Sequence, residues 1–290
     1  MLEILTVKKS DYMLRAILAT LSLNLQSSRS VHTMKRILIV VLLSVLAFGS
    51  FSSVSDAQRR RGRGRRAAPQ ATGKVAIPCP ATLNDITDCP DTGCGPSLDP
   101  KLNIRKNVRS DDQTAETMTI QELKDLPDPV SGFNIGDDRG PLKDLGEGKK
   151  ITVMAKALVA RKGGGESCNC KLLSVADTDN HIVLVDPAVK KPTLANDEDD
   201  SETAEFTPRV RLDHPNLSRA KLQPLITASG GALLVRVTGL QMFDSEHSLE
   251  GHLKRHNNWE IHPVMGMEYC PKGKKCTADS DANWKSIEDN

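Results

Sequence analysis

The sequence predicts a mainly β fold: a small five-stranded barrel in the order β-β-β-α-β-β, preceded by an irregular, disulfide-pinned segment. Three observations carry this reading. Apolar residues alternate in several short runs between 146 and 270, a stretch with helical leucine spacing falls between the third and fourth runs, and seven cysteines punctuate a chain of 290 residues. A composition of 38% hydrophobic, 26% charged and 3% aromatic residues excludes a collagen, a wholly disordered chain and a polytopic membrane protein.

The elements follow in order. Ile151, Val153, Ala155, Ala157 and Val159 share one face of a first strand, closed by Gly163-Gly-Gly165. His181-Ile-Val-Leu-Val185 forms a second. The third is placed at 204–212, with Ala204, Phe206, Val210 and Leu212 on one face and Glu205, Thr207, Arg209 and Arg211 on the other. Leu217, Leu222, Leu225 and Ile226 then recur at helical spacing up to Ser229-Gly-Gly231, with Pro224 disturbing the last turn. The fourth strand spans 233–243, where Gly239 signals a bulge, and the fifth runs from Trp259 toward Tyr269. This order is that of an OB-like barrel. Upstream, Thr119-Ile-Gln-Glu122 is a capping-box pattern that starts a short helix ending before Pro127.

The N-terminal third reads as export machinery. Lys35 and Arg36, the apolar run 37–49 and the small residues through Ala57 form a signal peptide at 34–57, with cleavage expected after Ala57. Residues 1–33 then read as an extension upstream of a true start at Met34. An uncleaved anchor is the alternative, although an apolar run this short spans a bilayer poorly. Residues 58–78 form a basic disordered arm, in which Arg59, Arg60, Arg61, Arg63, Arg65 and Arg66 suit contact with an anionic surface. Beyond it come a Cys-containing segment at 79–145, the barrel at 146–270 and a polar tail at 271–290. From Ala67 onward the chain carries 27 basic against 34 acidic groups, so its folded part repels phosphate backbones.

In an exported chain the cysteines read as a disulfide framework with one thiol left over. Cys168-Asn-Cys170 cannot easily bridge itself, because neighbours at that spacing point to opposite sides of an extended chain. One of the two is expected to reach Cys270, with Cys89–Cys94 as the second bridge and Cys79 or Cys276 left over. Turn-forming residues between Cys270 and Cys276 also allow that pair to close. A zinc site built on Cys89 and Cys94 is less suited, since in an oxidising compartment the cysteines are spent in bridges.

Five motifs, Gly146-Glu-Gly-Lys-Lys-Ile151, Glu166-Ser-Cys-Asn-Cys170, Thr207-Pro-Arg-Val-Arg211, Val235-Arg-Val-Thr-Gly-Leu-Gln-Met-Phe-Asp-Ser-Glu-His247 and Trp259-Glu-Ile-His-Pro-Val264, occur in this order. Together they resemble a family of uncharacterised exported bacterial proteins, over about residues 145–270. The Cys79 to Asn107 segment is similar to a leader found in such proteins. The resemblance implies export and a compact β domain, and it brings no activity.

Two functional classes remain. The leading expectation is a non-enzymatic OB-like binding or interaction module. Nucleic acid is a poor ligand for it, because only Phe133, Phe206, Phe243, Trp259, Tyr269 and Trp284 follow the signal and the strand aromatics belong to the core. The alternative is a metal-dependent hydrolase at the loop between the fourth and fifth strands, where His247, His252, His256 and His262 cluster with Asp244, Glu246 and Glu260. Its expected ligands are His247, Glu260 and His262, with zinc the metal that this donor set suits. Against it, no H-E-x-x-H, G-x-S-x-G or complete phosphate loop is present, no cofactor is called for, and an arginine of the third strand is expected to engage Glu260.

Overall fold

The computed structural model describes residues 75–127, 138–247 and 254–289. The signal-like run, the Arg/Gly residues 59–66, Phe133 and His252 lie outside them. The described part begins with a two-stranded ribbon, β1 (Val75–Ile77) and β2 (Gly95–Leu98), so the last residues of the expected arm are paired strand. A helix, α1 (Pro100–Lys106), follows, with Asp99 as N-cap and proline at its start. β3 (Glu116–Met118) and α2 (Ile120–Lys124) come next, the latter with the reciprocal Thr119 and Glu122 bonds of a capping box. The segment expected to be irregular thus has short regular elements of its own.

A five-stranded barrel forms the body: β4 (Lys150–Lys162), β5 (Asn180–Val185), β6 (Glu202–Phe206), β7 (Leu233–Phe243) and β8 (Trp259–Tyr269). Its order around the barrel is β4-β5-β6-β8-β7, closed by antiparallel pairing of β7 with β4 from Lys150↔Leu240 to Ala157↔Leu233. Within the barrel β6 and β8 are the parallel pair, through Thr203↔Glu260 and Ala204↔Ile261. β3 adds to β4 at the edge, and β9 (Lys285–Ser286) to β8. The connection from β6 to β7 carries two helices, α5 (Pro208–Asp213) and α6 (Arg219–Ala228), and Leu222 and Ile226 of α6 pack into the core. Smaller helical elements are a single turn at Ile86–Asp88 and α3 (Gly140–Asp144) before β4, and α4 (Leu194–Asp197) with a single turn at Glu198–Asp200 between β5 and β6.

The expected third strand is too long. It stops at Phe206, because the Thr207 side chain accepts a hydrogen bond from the Val210 amide and Pro208 occupies the first turn, which starts α5 where alternation suggested extended chain. Arg209 and Arg211 therefore leave the sheet. Arg209 donates to the carbonyls of Cys89 and Pro90, and Arg211 to those of Phe206, Ala176 and Thr178. At Gly239 the expected bulge is present: the pairing with β8 shifts on both sides of it, and a Cβ there would lie 2.4 Å from the Pro263 carbonyl oxygen.

Three disulfides form, Cys79–Cys94, Cys89–Cys170 and Cys270–Cys276, and Cys168 is a buried free thiol. One member of Cys168-Asn-Cys170 does reach a distant partner, but that partner is Cys89, and Cys94 pairs with Cys79. Cys270 follows the far end of β8, eight residues and about 26 Å along extended chain from His262, near which the Cys168 loop folds. A bridge needs Cα atoms within about 7 Å, so the expected Cys270 link is out of reach. Three bridges of this kind belong to an oxidising compartment. Among the described residues no helix is long and apolar enough to cross a membrane.

Candidate functional site

Alternation decides what lies on each side of the barrel wall. Ile182, Leu184, Ala204, Phe206, Trp259 and Ile261 point inward to the core. His181, Thr203, Glu205, Glu260 and His262 must therefore point outward, and the register sets His181 opposite Glu205 and Thr203 opposite Glu260. On an uncovered barrel these side chains would be solvated. Here Glu205, Glu260 and His262 are 2%, 0% and 1% exposed.

Two loops and a helix cover them. The loop from β4 to β5 brings Glu166, Cys168, Asn169 and Asp179; the loop from β7 to β8 brings Asp244, His247 and Arg255; α1 sends in Lys106. Gly93, at φ +68°, lets the N-terminal segment close against the first loop, since a Cβ there would meet the Ser167 carbonyl oxygen at 2.1 Å. The Asn107 amide donates to the carbonyls of Asp91 and Cys168, and the Cys89–Cys170 bridge joins the same two segments.

The result is a chain of alternating charge beneath the surface. His181 Nε2 lies 3.6 Å from Glu166 Oε1 and 3.4 Å from Glu205 Oε1. His262 Nδ1 lies 3.2 Å from Glu205 Oε2 and 3.2 Å from Glu260 Oε1. Arg255 donates to the other Glu260 oxygen at 2.9 Å and stands 3.7 Å from Asp244. Lys106 links Glu166 at 2.8 Å to Asp244 at 3.7 Å, and Asp244 holds His247 Nδ1 at 2.5 Å.

Neighbouring charges outweigh burial for most of these groups. Burial favours a neutral Glu205, yet His181 and His262 hold it down to about 2. Glu205 first, then Glu166, push His181 up to about 9 against the effect of burial. Burial lowers and Glu205 and Glu260 raise His262, leaving it well above the usual imidazole range. Two groups follow burial instead: it lifts Asp179 to about 7, with Glu166 and Glu205 adding to the shift, and it raises the Cys168 thiol, with Glu166 adding again.

A cleft of about 210 Å³ opens onto this chain, walled by Arg161, His181, Thr203, Glu205, His247 and Lys254 among others. Among the described residues no Phe, Tyr or Trp lines it. It lies on the outer face of β5 and β6 beside the β7–β8 loop residues Asp244, His247, Lys254 and Arg255, a strand face that OB folds use for their ligands.

Three overlapping sets of side chains could hold a metal ion, with ligand atoms all within 4.8 Å of one another: Glu166, Cys168 and Asp179; Glu166, His181 and Glu205; Asp179, Glu205 and His262. Of the residues expected from sequence, Glu260 and His262 come together. Neither Glu260 nor His247 belongs to these sets; His247 bonds to Asp244, and Arg255 stands between Asp244 and Glu260. The arginine on Glu260 is thus Arg255, five residues upstream in the β7–β8 loop, and not one of the third strand, because both of those sit in α5. His256 turns away to Asp200.

Sequence reasoning missed Glu166, Asp179, His181, Glu205, Lys106 and Arg255 as members of one site. No local signal marks them, because His and Glu at outward strand positions are what an ordinary solvated face carries. Comparison with protein-family models, curated proteins and solved structures gives no match, so fold and site rest on the chain's own sequence and geometry.

Proposed function

We propose that the protein is a non-enzymatic OB-like binding module that seats a small charged ligand on the outer face of β5 and β6. One observation carries this: charged side chains shielded from water lie at a cleft on the outer face of β5 and β6 beside the β7–β8 loop, and OB folds use this strand face and this loop to bind ligands. Stability alone is weak support for such a cluster, since apolar residues of equal volume hold a fold as well as or better than buried ion pairs do. The size of the cleft suits an ion or a small polar group, and its lack of aromatic side chains argues against stacked nucleobases. Export through the 34–57 signal, membership of the exported family that the motifs resemble, and contact of the arginine arm with an anionic surface belong to the same proposal.

A metal-dependent hydrolase is the second reading, favoured by His181 and Glu205 standing both in the cluster and on the cleft wall. The test is a set of two-dimensional NMR titrations of the full chain, purified from an oxidising compartment, with sodium phosphate, sodium citrate, maltotriose, short oligothymidine and zinc chloride. Shifts concentrated on Arg161, His181, Thr203, Glu205 and Lys254 with any probe but the oligothymidine support the binding face. Shifts scattered over the surface, or oligothymidine as the strongest probe, overturn it.

A further inference from the structure

We propose that Asp179, Glu205 and His262 form a site for one divalent transition-metal ion of the zinc class, reached from the cleft. The inference rests on the binding-face reading and names the first ligand of that face. The three residues are 1%, 2% and 1% exposed and come from three places in the chain: the end of the β4–β5 loop, β6 and β8.

Unsatisfied atoms point to an ion. Glu205 Oε2, Asp179 Oδ1 and both ring nitrogens of His262 are buried without a hydrogen-bond partner. Orphaned buried polar atoms each cost about 1–3 kcal/mol, and here they gather in one place. His262 Nδ1 and Glu205 Oε2 are 3.2 Å apart yet misaligned for a hydrogen bond. That spacing is close to the roughly 3.3–3.5 Å edge of a tetrahedron whose metal–ligand bonds are about 2.0–2.2 Å. A shared proton must lie on a line between two atoms, whereas a cation at the centre satisfies Glu205 Oε2, Asp179 Oδ1 and one His262 nitrogen together.

The neighbours act as supports. Asn169 donates to Asp179 Oδ2 at 2.7 Å, which fixes that carboxylate and leaves Oδ1 for the metal. His181 faces Glu205 Oε1, on the other side of the bridging carboxylate. One imidazole and two carboxylates are a zinc-type donor set, and three protein ligands leave a fourth position for water or a cleft-bound donor.

The test uses the full chain with its disulfides intact, stripped with EDTA and titrated with zinc chloride by calorimetry and metal analysis. Saturation at one zinc per chain is expected, with Glu205→Gln and His262→Gln binding at least about a hundredfold more weakly and His214→Gln, at a histidine outside the cluster that pairs with Glu288, within about threefold of wild type. No saturable zinc, or equal saturation in Glu205→Gln, overturns the site. Should the two variants fail to fold, X-ray absorption of the zinc-loaded wild type decides: a nitrogen/oxygen shell at about 2.0–2.2 Å containing a single imidazole supports it, and a sulfur-containing or multi-imidazole shell overturns it. Absence of zinc binding together with cleft shifts from phosphate, citrate or maltotriose removes this site alone, whereas absence of any shift on the face removes the binding-face reading as well.

Discussion

The inner and outer faces of β6 and β8 are one residue apart in sequence and bury opposite chemistry. Inward, Ala204, Phe206, Trp259 and Ile261 join a continuous apolar core; outward, Glu205, Glu260 and His262 are shielded as completely, among charges. Alternation alone explains the first, because burying apolar area contributes about 25 cal/mol per Å². It does not explain the second, since taking ions out of water costs several kcal/mol each before pairing offsets it. The difference teaches that the outer cluster is held in place by its cover: two loops, α1 and the Cys89–Cys170 bridge keep water away from a face that alternation assigns to solvent.

The strongest test of this contrast removes one anchor from each side. Trp259→Ala, which takes away a ring packed edge-on to Phe243 at 5.3 Å, is expected to cost about 3–5 kcal/mol. Arg255→Ala is expected to cost about as much, because it leaves Glu260 buried with one cationic partner fewer. Second-site changes separate the two. Glu260→Gln should recover part of the Arg255→Ala loss by removing the stranded charge, while Phe243→Leu should deepen the Trp259→Ala loss. Denaturant midpoints of the four single and double variants measure this, and recovery on both sides or on neither would erase the distinction.

The cover gives the next largest effect. Loop-closure entropy assigns about 4.5 kcal/mol to Cys89–Cys170, which spans 81 residues, and about 2.2 kcal/mol to Cys270–Cys276, which spans 6. Paired serine substitutions should reproduce that order in thermal unfolding. The first pair should also raise amide exchange in the loops over the outer face and leave the inner strands protected, and uniform exchange would show that the bridge does not hold the cover.

The inner face was legible in the sequence and the outer one was not, for a physical reason. Core packing depends on a period of two that local residues display, so the five strands, the bulge at Gly239 and the capping box at Thr119 follow from short windows. The third strand was overextended at 207–212 because Thr207-Pro208 reads equally as alternation and as a helix cap, and only the cap bond to Val210 decides. The cluster depends on side chains brought together over long separations: Lys106 with Glu166, Glu205 with His262, Cys89 with Cys170. Local patterns carry no record of such pairings, which is why nearness in sequence drew His247 into a metal set that the fold does not build.

Glu202 is an exception on the inner side and gives a smaller effect. It shares the parity of Ala204 and Phe206, is fully buried, and neither carboxylate oxygen finds a hydrogen bond, so burial lifts it to about 9 in the folded chain. Unfolded, it loses its proton near about 4.3. Between those values folding takes up a proton, and stability falls as pH rises. Glu202→Gln removes that dependence. Its melting temperature should match wild type near pH 4 and exceed it by a margin that grows toward pH 9; a margin independent of pH would mean that Glu202 is ionised in the folded protein.

The smallest expected effect isolates burial itself. Arg109 and Asp213 make an ion pair at 2.9 Å, much like the 2.8 Å contact between Lys106 and Glu166. The first pair is 46% and 55% exposed, the second 1% and 13%. Water screens the exposed pair and holding two long side chains costs entropy, so Asp213→Asn should change stability by no more than about 1 kcal/mol and by nothing measurable in high salt. Lys106→Met should cost several-fold more in the same buffers and respond little to salt, because it strands Glu166 and Asp244 under the cover. Equal losses and equal salt responses for the two substitutions would mean that water reaches the outer cluster, and that the face over β6 and β8 is an ordinary solvated surface.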